Sequence, residues 1–136
     1  MSAKYGDSTG VVIMTTPDEL VARELARLSA DFVEHLPEQI QAVEDDMTAW
    51  LSKPRDTERL EVLSHRVHQL KGSGSTFGCP GISRAARTLE QRIGACRREI
   101  VAGRPAATAA IESAVEQLQN EATRVQTLSR DPEVGE

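Results

Sequence analysis

Aromatic side chains are nearly missing from this chain: one Trp, one Tyr and two Phe among 136 residues. Aliphatic residues and alanine must therefore fill any interior, which favours helices packed on helices over a sheet. The same scarcity, with a net charge of -5, argues against nucleic acid, which wants stacking aromatics and a basic stripe. Long hydrophobic runs are absent as well. The longest, VVIM, spans residues 11–14, far short of the roughly 20 residues that cross a bilayer. It has no basic stretch before it and no cleavage site after it. Cysteine is scarce too. Cys79 and Cys96 lack CxxC spacing and read as reduced thiols, Cys96 on a core stripe and Cys79 at a helix start, where buried thiols are inert. These absences lead us to expect a cytoplasmic domain with no nucleic-acid or membrane partner.

What is present is helical period. The length suits one domain with a single core. Residues 1–15 read as a flexible arm, 16–128 as the folded unit and 129–136 as a disordered tail. TTPDEL opens the first helix, with Thr16 as cap, Pro17 at the first helical position and Glu19 closing a capping box. Val21, Leu25, Leu28 and Phe32 then share one face. Pro37 breaks or kinks the helix, and Leu36, Ile40, Val43, Met47 and Trp50 resume the stripe. After SKPRDT, capped by Asp56 or Thr57, come Leu60, Leu63, Val67, Leu70 and Phe77. Ile82, Ala86, Leu89, Ile93, Cys96 and Ile100 follow GCPG, and Gly103 closes that helix. Ile111, Val115, Leu118, Ala122 and Val125 mark the last. The expected fold is all-α: an antiparallel up-down four-helix bundle with an additional N-terminal helix.

One stretch breaks the pattern. HRVHQLKGSGSTFG, residues 65–78, puts Gly72 and Gly74 inside a helix, although each glycine costs about 1 kcal/mol relative to alanine there. His68 stands at the edge of the buried stripe. Ser64 and Gly72 lie one turn away on one diagonal, His65 and Lys71 on the other, and Ser75 lies two turns on. Gly72 removes the side chain that would cover the imidazole, and Gly74 is expected to thin the helix further on. Both read as access for a bulky partner, with Lys71 placing positive charge beside the ring.

HQLKGSGSTFG resembles the phosphoacceptor motif H-x-L-K-G-[SAG]-x-x-x-x-G of histidine-containing phosphotransfer (HPt) domains of two-component phosphorelays, in the version found in chemotaxis kinases. The resemblance covers roughly residues 18–128 and includes RAARTLE downstream. It implies that His68 is the phosphorylated histidine, that Lys71 steadies the phosphoryl group, and that Gly72 leaves room beside the ring. It further implies that Gly78 closes the motif and that Glu90 hydrogen-bonds the ring. Val67 departs from the pattern, which prefers a small residue. The partner-binding surface is expected at Ser64, His65, Gln69, Gly72, Ser75 and Arg87, with Arg84 nearby. The implied partners are response-regulator receiver domains and a histidine kinase, met by a monomer.

In the implied reaction a neutral imidazole nitrogen attacks an aspartyl phosphate. An unperturbed histidine, with pKa about 6.5, supplies that form at neutral pH. The chain has no GxxxxGK[ST] loop for ATP and no acidic cluster for metal. No cofactor is expected in it, and Mg²⁺ is expected on the receiver. Two other readings compete. A metal site could use His65, His68 and Cys79, but metal-binding helices pair HxxxH or ExxH with further carboxylates, and no second pair appears. A non-catalytic interaction or scaffold bundle accounts for the helices and leaves the glycines and Lys71 unexplained.

Overall fold

The computed structural model describes residues 16–130, so the expected arm at 1–15 and tail residues 131–136 lie outside the described residues. Five helices run in order: α1 Pro17–Glu34, α2 Leu36–Leu51, α3 Thr57–Thr76, α4 Pro80–Val101 and α5 Thr108–Arg130. The chain is all-α. The last helix continues two residues past the boundary expected at 128. Among the described residues, no helix is long and apolar enough to cross a membrane.

Local chemistry sets the helix ends. Thr16 Oγ1 accepts from Glu19 N at 3.1 Å and Glu19 Oε1 accepts from Thr16 N at 2.8 Å, which is a closed capping box. His35 alone separates α1 from α2, and Pro37 enters α2 in its first turn, where its missing N–H costs nothing. Asp56 caps α3 by accepting from Glu58 N at 3.0 Å and Arg59 N at 3.3 Å. At the far end of α3, Gly78 adopts φ +78°, and Cys79 N reaches back to Gly74 O at 2.8 Å. Gly103, at φ +81°, ends α4 with the same device, Arg104 N returning to Glu99 O at 2.8 Å.

The stripes read from the sequence meet in one core. Leu36, Val43, Trp50, Leu60, Leu63, Val67, Ile82, Ala86, Leu89, Ile93, Ile111 and Leu118 are completely buried. Burying each such large side chain contributes about 1.5–3 kcal/mol. Trp50 also satisfies its polar end, donating from Nε1 to Pro54 O at 2.9 Å. Cys79 and Cys96 are both buried and free, and burial pushes both thiols up from their ordinary value.

One stripe is only partly used. On α1, Phe32 is buried and stacks obliquely on Phe77, ring centres 5.6 Å apart. Val21 is 66% exposed and Leu25 43%, although both share Phe32's face. The reason is reach. Gln126 Nε2 on α5 donates to Val33 O at 2.7 Å, and Ser129 and Ala30 line one depression, so α5 runs antiparallel to α1 and, among the described residues, meets its last turns only. The first turns of α1 therefore leave an apolar face exposed among the described residues.

Candidate functional site

The site is built on the antiparallel pair α3 and α4. Arg97 Nε meets Glu61 Oε2 at 2.6 Å. Two turns further along α3, and two turns back along α4, His68 Nδ1 meets Glu90 Oε2 at 2.7 Å. These two contacts fix the register. The α3 residues 61, 64, 68, 71 and 75 face the α4 residues 97, 94, 90, 87 and 83 across one seam. Ser64, Lys71 and Ser75 therefore share the seam with His68, and Arg87 stands across from Lys71.

Glu90 is the hub. Its second oxygen, Oε1, accepts from Lys71 Nζ at 2.7 Å. The Lys71 ammonium, followed by the His68 ring, holds the Glu90 carboxyl below its ordinary value of 4.5, against the opposing effect of burial. An ionised carboxylate can only accept, so the hydrogen of this contact sits on His68 Nδ1, and in the neutral ring the free lone pair is then the one on Nε2. The His68 side chain is 63% exposed, while those of Glu90 and Lys71 are 27% exposed. A buried-edge carboxylate thus orients an open ring. Lys71 is spoken for by Glu90 in this state and does not point a free ammonium at solvent.

The other predicted residues lie on the opposite side of His68, toward α2. His65 and Gln69 line a shallow depression with Glu61, Val62 and Arg66. Gln69 and Gly72 line a second with Gln39, Ser73, Thr76 and Phe77. Arg66 Nε pairs with Asp46 Oδ2 at 2.5 Å and ties α3 to α2 beneath this face. The ion pair and Gln39 escaped the sequence reading because nothing in the sequence tells which α2 residues face α3.

The two glycines separate in role. A Cβ at Gly72 would meet nothing within 4 Å, so this position is open ground beside the ring. Gly74 is buried, and a Cβ there would stand 3.0 Å from Ser83 N, 3.1 Å from Ile82 Cγ2 and 3.2 Å from Cys79 O. The expectation that Gly74 gives a partner access is therefore corrected: it lets the start of α4 pack against α3. Val67 is completely buried and belongs to the core.

Among the described residues, no group of three or more His, Cys, Asp and Glu side chains could hold a metal ion. The Hpt domain family model matches residues 27–125. No curated protein and no solved structure matches the chain.

Proposed function

The chain belongs to the Hpt domain family, the histidine-containing phosphotransfer modules of two-component signalling, and from that premise we propose that His68 is its phosphoacceptor. The observation that carries this reading is the contact between His68 Nδ1 and Glu90 in a ring that is 63% exposed. With the hydrogen fixed on Nδ1, Nε2 is the nucleophile. Its lone pair attacks the phosphorus of an aspartyl phosphate on a receiver domain. The P–O bond breaks with its electrons left on the aspartate, an N–P bond forms, and the ring becomes cationic. Glu90 offsets that charge through the Nδ1 hydrogen bond. The reverse step delivers the group to a second receiver. A histidine kinase is the alternative donor.

Lys71 moves from Glu90 toward the phosphoryl oxygens once they arrive, a short exchange between two anionic partners. Mg²⁺ held by the receiver would supply charge stabilisation to the transferring group. Gly72, Gln69 and His65 on one side of His68, and Ser64, Ser75 and Arg87 on the other, form the surface that a receiver covers.

The test is transfer from a phosphorylated receiver domain to wild type and to His68→Gln, followed by mass spectrometry. We expect acid-labile, alkali-stable phosphate on wild type and none on the variant. Label that survives in His68→Gln would reassign the acceptor, with His65 next in line. No label from any of several receivers would return the chain to the scaffold reading.

A further inference from the structure

Among the glycines within the described helices, Gly74 and Gly81 have packing reasons. A Cβ at Gly74 would press on α4, and one at Gly81 would run into the Glu121 carboxylate. Gly72 and Gly94 have none. A Cβ at Gly72 meets nothing within 4 Å, and one at Gly94 meets only Arg98 Nη1, at 3.7 Å, the far end of an exposed side chain. Both interrupt long helices that alanine would strengthen. Packing therefore asks for a glycine at neither position.

Their placement is common to both. Gly72 lies one turn beyond His68 on α3, and Gly94 one turn beyond Glu90 on α4. Because the helices are antiparallel, these turns run in opposite directions from the His68–Glu90 contact. The seam register sets Gly94 across from Ser64, between the Glu61–Arg97 and His68–Glu90 bridges. Ser64 and Gly94 are both half-buried, so two small residues face each other there. The His68–Glu90 pair thus stands between two clearings, one toward α2 at Gly72 and one on the α3–α4 seam at Gly94.

The geometry points to Gly94 as a specificity-determining residue for phosphotransfer: the receiver's footprint crosses the α3–α4 seam and seats part of its surface in the clearing between Ser64 and Gly94. This inference rests on the reading of His68 as phosphoacceptor. It adds that access to His68 is set from α4 as well as from α3, at a position outside the H-x-L-K-G motif.

The experiment compares two donors, a phosphorylated receiver domain and phosphoramidate, on wild type, Gly94→Leu and Ala95→Leu. Ala95 is exposed on the side of α4 away from the seam. We expect Gly94→Leu to slow transfer from the receiver at least tenfold while phosphoramidate labels His68 at the wild-type rate, and Ala95→Leu to match wild type with both donors. Gly94→Ala guards against a folding defect; it should melt higher than wild type and still transfer more slowly from the receiver. Wild-type transfer rates in both Gly94 variants would overturn the inference. Equal slowing with both donors would overturn it as well, since the side chain would then disturb the Glu90–His68 contact itself. If neither donor labels wild type on His68, the phosphoacceptor reading fails and this inference falls with it.

Discussion

His68 Nδ1 and Glu90 Oε2 lie 2.7 Å apart across the seam of α3 and α4, 22 positions apart in sequence. The contact ties the ring's tautomer to the ionisation of one carboxylate. Replacing Glu90 with Gln keeps an acceptor near Nδ1 but removes the charge that, in the proposed function, offsets the phosphorylated ring. Trading a charge-assisted hydrogen bond for a neutral one costs about 1–2 kcal/mol, which is roughly tenfold in rate. Rapid-quench phosphotransfer on Glu90→Gln should show that loss with an unchanged helical circular dichroism spectrum. A wild-type rate would remove Glu90 from the mechanism.

The two glycines of α3 should respond oppositely to the same change. Gly74→Ala places a methyl 3.0 Å from Ser83 N and 3.2 Å from Cys79 O, both backbone atoms that cannot step aside cheaply. We expect a loss of about 1–3 kcal/mol in urea unfolding. Gly72→Ala meets open space and should add up to about 1 kcal/mol, while slowing transfer from a receiver. Equal effects at the two sites would contradict the separation of packing from access.

The pH dependence of stability carries a sign. Glu90's carboxyl is held below its ordinary 4.5, chiefly by Lys71 and then by His68. The unfolded chain therefore binds more protons in this window, so stability rises with pH. The contribution is complete above 4.5 and is lost as pH falls through the lower folded value. Urea midpoints taken at steps downward from pH 6, to about pH 3, should fall more steeply for wild type than for Glu90→Gln. Parallel curves would show that the Glu90 contacts do not stabilise the fold.

Asp56 tests whether the site tolerates a loosened helix end. Its carboxylate accepts from Glu58 N and Arg59 N at the start of α3, three turns before His68. Asp56→Ala should cost about 1 kcal/mol and leave phosphotransfer at the wild-type rate, because fraying stays within the first turn. A fall in rate that tracks the fall in stability would mean that His68 depends on the whole length of α3.

Much of this was legible in the sequence because helical period is a local signal. Leu60, Leu63, Val67 and Leu70 announce a buried face by spacing alone, and Thr16, Asp56 and Gly103 announce helix ends by their own chemistry. His68 and Lys71 were legible because their motif lies within one helix. Glu90 was implied only by the family resemblance, at the acidic position after Leu89 in RAARTLE. What spacing does not carry is register between helices. Val21 and Leu25 share the face of Phe32, yet their exposure depends on how far α5 reaches. Gly72 and Gly74 look alike in sequence, and only the position of Ser83 and Ile82 on the next helix tells them apart. Gly94 is ordinary until the Glu61–Arg97 pair sets it opposite Ser64.

The Schellman turn at Gly78, which joins α3 to α4 with so little chain, has a consequence for how the protein folds. Every ion pair of the seam closes a short loop, from 19 residues for Lys71–Glu90 to 36 for Glu61–Arg97. Closing short loops costs little chain entropy, and local contacts go with fast folding. The hairpin of α3 and α4, which also has the most extensive helix–helix interface, should therefore form the nucleus on which α2 and α5 condense. Native-state hydrogen exchange would then find the central amides of α3 and α4 opening last, and the first turns of α1 opening at almost no cost.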